Sequence, residues 1–88
     1  MLATVRGRVQ GVGFRYFTLN RAQKLGLKGW CRNTVEGHVE VDVVGTEVQL
    51  KEFLTYLQKG PVLARVNDVV YNIIDAGDTT YVSFDIVG

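Results

Sequence analysis

The pattern of the chain predicts an α+β domain, with two helices packed on one face of a mainly antiparallel sheet. Two observations carry this expectation. Short segments alternate apolar with polar residues, as half-buried strands do, and two longer segments between them repeat apolar residues at helical spacing. Each helix has one apolar face, so a single sheet covered on one side satisfies both.

Taken in order, residues 2–8 alternate loosely and read as a strand. From Phe14 the spacing changes, and Phe14, Thr18, Ala22 and Leu25 fall on one helical face with Phe17 at its margin, before Gly26 as a C-terminal stop. "LKGWCRNTVEGHVEVDVVG" then reads as a hairpin turning at Glu36-Gly37, with Val39, Val41 and Val43 alternating against Glu40 and Asp42. In "TEVQ", Thr46 caps a second helix and Gln49 completes a capping box. Leu50, Phe53, Leu54 and Leu57 continue that helix until Gly60-Pro61 ends it. Ala64 to Ile74 reads as a strand, "DAGDTT" as a loop and Tyr81 to Val87 as a last strand. The order is β-α-β-β-α-β with an extra C-terminal strand, the ferredoxin-like sandwich.

The 88 residues allow one domain, expected over residues 1–88, which buries roughly 60 to 65% of its unfolded surface. At 47% hydrophobic and 22% charged the chain is globular, and its apolar runs are too short to span a bilayer. The N-terminus lacks a signal-peptide pattern, so a cytoplasmic location is expected. Cys31 is the sole cysteine, which excludes an internal disulfide, and it has no companions at metal-ligand spacing. It reads as a small buried hydrophobe and Trp30 as a cover for the core edge, while His38, after the hairpin turn, is expected at the surface.

The net charge of +1 conceals a segregation: seven basic residues and no acidic one precede residue 33, and all nine carboxylates follow it. Such a basic first third suits an anionic partner, although a solvated basic face has the same composition.

"GRVQGVGFR", residues 7–15, joins the first strand to the first helix. A glycine-rich loop and the unpaired N–H groups of a helix's first turn form a concave anion site. Arg15 opposes the positive end of the helix dipole, at a cost of a few tenths of a kcal/mol or more that a bound anion would reverse. A tight turn beside a surface arginine has the same spacing. The loop lacks the lysine and hydroxyl of a Walker loop, and Tyr16 stands where a dinucleotide fingerprint has its third glycine. Asn33 ends the second strand near a turn, a place where asparagine also serves as a turn former.

"GRVQGVGFR", "AQKLGLKGWCRN", "EGHVEV" and "FLTYLQKGPVLARVNDV" together closely resemble the acylphosphatase family along nearly the whole chain. The resemblance implies a small ferredoxin-like hydrolase that cleaves the carboxyl-phosphate bond of acyl phosphates without metal, cofactor or covalent intermediate. It places the phosphate-holding arginine on Arg15 and the water-orienting asparagine on Asn33. The phosphate cradle falls on the backbone of Arg8, Val9, Gln10, Gly11 and Val12, with Thr34 as an auxiliary position. Implied with these are a small acyl phosphate as substrate and inorganic phosphate as product and competitive ligand; a monomer without nucleic-acid or membrane partners is the default expectation beside them.

The residue chemistry agrees with that implication. Phosphoryl transfer has a loose transition state with charge on the equatorial oxygens, for which positioned N–H groups and a guanidinium suffice. The motif holds no histidine or carboxylate to act as general acid, so the leaving group must depart unaided. A carboxylate, whose conjugate acid has a pKa of about 4, can do so, and an alkoxide cannot. A mixed anhydride is therefore expected as substrate in place of a phosphate ester. One rival reading is a ferredoxin-like binding or regulatory module that holds an anion or RNA without catalysis. Another is a domain of a larger carbamoyl-phosphate-handling maturation enzyme; a stand-alone protein is expected because the chain starts at Met1 and stops just after its last strand.

Overall fold

Alternation along β1 (Leu2–Arg8) turns Ala3 and Val5 into the interior and leaves Leu2 and Arg6 exposed. The same rule buries Gly29 and Cys31 in β2 (Lys28–Asn33), and Val39, Val41 and Val43 in β3 (Val39–Val44). The computed structural model describes residues 1–74 and 80–88. Within them α1 (Phe14–Lys24) follows β1, α2 (Glu47–Lys59) follows β3, and β4 (Arg65–Asn72) and β5 (Phe84–Ile86) complete the order. The five strands form one sheet in the order β4-β1-β3-β2-β5, antiparallel except for the parallel pair β2 and β5. Both helices pack on one face, α1 over β2 and β5 and α2 over β4, as the spacing predicts.

The core lies between the helices and the sheet. Phe14, Ala22, Phe53 and Leu57 from the helices meet Val5, Val39, Val41, Val43 and Cys31 from the strands, and the Phe53 and Phe84 rings meet edge-on at 6.3 Å. Thr18 is buried too, and its hydroxyl is satisfied by donating to the Phe14 carbonyl one turn back at 2.9 Å. No helix among the described residues is long and apolar enough to cross a membrane.

Several boundaries differ from the sequence expectation, each for a pairing reason. β4 ends at Asn72 because its ladder runs out opposite Leu2, the first residue of β1, so Ile73 and Ile74 extend beyond it, exposed. β5 begins at Phe84 because β2 offers partners only from Gly29 to Cys31. Tyr81, expected in that strand, instead donates its hydroxyl to Asp42 at 2.7 Å and accepts from the Trp30 indole at 3.3 Å. Leu25 is the half-buried C-cap of α1 and lies just past its last turn. His38 is half-buried, since it lines a groove beside Arg6 and Asp68. The expected loop at 75–80 falls almost wholly outside the described residues.

The two helices begin by opposite means. At α2 Thr46 Oγ1 accepts from the Gln49 N–H at 3.2 Å and Gln49 Oε1 accepts from the Thr46 N–H at 2.9 Å, the reciprocal box expected from "TEVQ". Gln49 Nε2 also donates to the Leu25 carbonyl at 2.9 Å, which ties the start of α2 to the end of α1. At α1 the N-cap is Gly13, with no side-chain cap at all. Thr46→Ala is expected to lower stability by about 1 kcal/mol, read as a shift of the urea midpoint, while turnover stays unchanged.

Candidate active site

Between β1 and α1 the chain makes a tight loop whose ends are set by burial. Val9 and Phe14 are each 1% exposed and hold the loop between them against the core. Gly11 and Gly13 adopt φ of 73° and 78°, and nothing lies within 4 Å of where a Cβ would project from either. Conformation, rather than space, therefore requires glycine at these two positions. Gly7 differs: it belongs to β1, and its missing Cβ would come 2.1 Å from the Arg65 carbonyl oxygen. The first glycine of the motif thus serves the β1–β4 contact, and the other two shape the loop.

From Gln10 to Tyr16 the backbone N–H groups donate to no acceptor among the described residues, the first helical bond being Phe17 N–H to the Gly13 carbonyl at 3.0 Å. With no cap and no acidic residue in the first turn of α1, these donors and the positive end of the helix dipole are uncompensated by protein. Arg15, half-buried in that turn, has no ion pair or hydrogen bond from its side chain among the described residues.

The rest of the basic first third is placed differently. Arg6 and Arg32 pair with Asp68 and Glu40, and the Arg21 guanidinium lies over the rings of Phe17 and Tyr56 at 5.1 and 4.9 Å. Arg8 faces Arg65 directly across the β1–β4 ladder, a juxtaposition of like charges at the root of the loop.

The other half of the site comes from β2. Cys31 is fully buried with its Sγ 3.8 Å from the Arg15 carbonyl oxygen, so α1 crosses β2 at this level. Asn33 is two residues on, hence on the same face, at the end of the strand opposite Val39. Its Oδ1 is buried and has no hydrogen-bond partner among the described residues. A buried amide oxygen without a partner costs about 1–3 kcal/mol. Thr34 closes the following turn: its N–H donates to the His38 carbonyl at 2.9 Å and its Oγ1 accepts from the His38 N–H at 3.1 Å.

The two halves are joined by Gln10. Its Nε2 donates to the carbonyls of Thr34 and His38 at 2.8 and 2.9 Å. A groove of roughly 560 Å³ opens next to this joint, lined by Arg6, Gly7, Glu36, Gly37, His38, Asn67 and Asp68. Among the described residues no group of three or more His, Cys, Asp or Glu is placed to hold a metal ion.

With an uncapped glycine loop, an arginine unpaired among the described residues and an asparagine at the end of β2 in place, the chain can be set beside known proteins. The acylphosphatase family model matches residues 1–86. The chain belongs to the acylphosphatase family. It is 47% identical over 76 residues to an acylphosphatase of Clostridium beijerinckii, covering 86% of this chain and 84% of that one. An acylphosphatase of Legionella pneumophila is 45% identical over 87 residues, 99% of this chain and 93% of that one. The crystal structure of acylphosphatase from Bacillus subtilis superposes with a TM-score of 0.85 at 35% identity over the full length of both chains. A full-length HypF, solved in a phosphate- and nucleotide-bound form, matches at a TM-score of 0.83 and 30% identity, over 99% of this chain and 11% of that one.

The chain is accordingly a hydrolase of acyl phosphates with the ferredoxin-like fold and an added strand, and the reading as a binding module without catalysis gives way to it. Sequence reasoning located the loop but overlooked the side chain of Gln10, for which the only signal was a long amide between buried Val9 and a glycine.

Burial pushes the Cys31 thiol up to about 11, against a partial opposing pull from the Arg15 cation. The folded protein at pH ~8 should resist Ellman's reagent, and the urea-unfolded chain should react. Because the unfolded thiol ionises first, near 9.0, the stability that Cys31 contributes is present below that pH and lost as pH rises toward about 11. Urea midpoints should show a decline over this range that Cys31→Ala lacks.

Proposed function

We propose that hydrolysis proceeds by direct attack of water on the phosphorus of a small acyl phosphate, with the phosphoryl group held by the loop and Arg15 and the water oriented by Asn33. The observation that carries this reading is a set of groups without partners among the described residues, on elements that meet where Cys31 Sγ lies 3.8 Å from the Arg15 carbonyl oxygen: loop N–H donors, the Arg15 guanidinium and Asn33 Oδ1. In it the backbone of Arg8, Val9, Gln10, Gly11 and Val12 cradles the phosphoryl oxygens. Arg15 offers two parallel donors to the same oxygens, and its charge offsets the charge they bear in the loose transition state.

Asn33 accepts a hydrogen bond from water at Oδ1 and can donate one to phosphate from its amide nitrogen, which holds the water near the line of attack. The oxygen of water forms the new bond to phosphorus as the bond from phosphorus to the carboxyl oxygen breaks. The carboxylate leaves with that electron pair, and the proton of water passes to a phosphate oxygen. No acid is needed, because the leaving carboxylate is stable as an anion near neutral pH. Thr34 supports the turn after Asn33 through its own hydroxyl. Inorganic phosphate, as product, competes for the cradle. A single domain acting as a cytoplasmic monomer, without nucleic-acid or membrane partners, completes the proposal, and the family match over residues 1–86 supports the single domain.

Phosphate release from benzoyl phosphate, measured with a chelator present and with inorganic phosphate as competitor, tests the assignment. Arg15→Ala should weaken phosphate competition roughly 30-fold or more, in line with about 2–5 kcal/mol for truncating one member of a desolvated charged contact. Asn33→Ala should leave phosphate competition largely intact while kcat falls about 100-fold or more. A normal kcat in Asn33→Ala would remove its water-orienting role.

A further inference from the structure

We infer that Gln10 is a positioning residue, whose side-chain amide sets the distance between the phosphate loop and Asn33; this rests on the water-orienting reading of Asn33 above. β1 and β3 are paired from Leu2 opposite Asp42 to Val5 opposite Val39 and no further. Beyond that point β1 stays with β4 as far as Arg8 opposite Arg65, and no ladder bond joins the segment leading into the loop to the 34–38 turn. Yet the proposed chemistry needs the loop and the end of β2 in register, and a misplacement of about 1 Å can cost on the order of 100-fold in rate.

Each half is shaped on its own side. The loop is held by buried Val9 and Phe14, and the turn by the Thr34 N–H to His38 carbonyl, Gly37 N–H to Thr34 carbonyl and His38 N–H to Thr34 Oγ1 bonds. What joins them is the Gln10 amide, with both hydrogens of Nε2 on carbonyls 24 and 28 residues away. Because both partners are acceptors, the nitrogen must face them and the orientation of the amide is fixed. The Thr34 carbonyl follows Asn33 by one residue, so the bridge ends next to the group it aligns. Removing the bridge leaves the cradle and Arg15 in place and frees the β2 end to shift against them.

The test is a double-mutant cycle in the wild-type chain with Gln10→Met, which keeps the side chain's length without its donors, and Asn33→Ala, read as kcat on benzoyl phosphate and Ki for inorganic phosphate. Gln10→Met should lower kcat about tenfold and change Ki less than about threefold, and in the Asn33→Ala background its effect should shrink below about twofold. An undiminished tenfold effect in that background, a Ki that rises in step with the loss of kcat, or an unchanged kcat in Gln10→Met overturns the inference. Full activity in Asn33→Ala alone would instead strike the reading on which it rests. Gln10→Glu supplies a second readout. Its carboxylate faces two carbonyls and should lose more activity than Gln10→Met, recovering relative to wild type toward pH ~5 as protonation restores one donor. Equal losses in both variants with no pH dependence count against the bridge.

Discussion

The side-chain amide of Gln10 crosses a gap that the sheet leaves open. β1 must separate from β3 after Val5 if its chain is to turn over the core into α1, and past that point no ladder holds the β1–α1 loop to the β2–β3 turn. The two hydrogen bonds from Gln10 to the Thr34 and His38 carbonyls close the gap from the loop side. Asn33, Cys31 and Arg15 take their places around that closure, Asn33 and Cys31 on the strand that the turn ends and Arg15 on the helix that the loop begins. Without that tie the end of β2 would be free to shift against a loop that buried Val9 and Phe14 hold in place, and electrostatic catalysis depends on groups already in position.

The same region gives up stability that the rest of the fold keeps. α2 has its capping box, whereas α1 begins on an uncapped glycine with a cation and no carboxylate in its first turn. Arg8 faces Arg65, and among the described residues Arg15 goes without a side-chain partner and Asn33 buries an unsatisfied oxygen. Each feature is unfavourable in the protein alone, and the proposed binding of a phosphoryl group and a water offsets it. The cost is carried by the hydrophobic core, in which the Phe14, Phe53 and Phe84 rings and the valines of β1 and β3 cluster with Val9, so that both ends of the loop are anchored there. Local frustration at a site paired with consistency elsewhere is the usual arrangement of a functional fold.

Much of the molecule was legible from short-range signals. The apolar spacing of Phe14, Thr18 and Ala22, the "TEVQ" box and the alternation of Val39, Val41 and Val43 are local patterns whose outcome depends on residues a few positions apart. The misplaced ends of β4 and β5 depend on where a partner strand starts and stops, which no local pattern encodes. Tyr81 was read as strand because its β-propensity is real, and a hydrogen bond to Asp42, 39 residues away, claimed it instead. His38, half-buried, likewise shares its groove with Arg6 and Asp68, which come from other strands.

By itself the sequence determined the fold class, the family and the stretch that forms the loop, because periodicity, capping and a specific motif are properties of neighbours along the chain. It also showed that the basic charge lies in the first third, and the resemblance singled out Arg15 there. Only the tertiary structure showed what the other arginines meet. Arg6 and Arg32 are neutralised by carboxylates from other strands and Arg21 is packed over aromatic rings, which leaves Arg8 and Arg15 at the loop. It also separated Gly7, a point of close approach between strands, from the two glycines that shape the loop, and it turned Gln10 from a loop residue into the joint between two halves of a site. The physical reason is common to all three: a charge, a missing side chain or a donor acquires its role from the groups that face it across the fold, and those groups are remote in sequence.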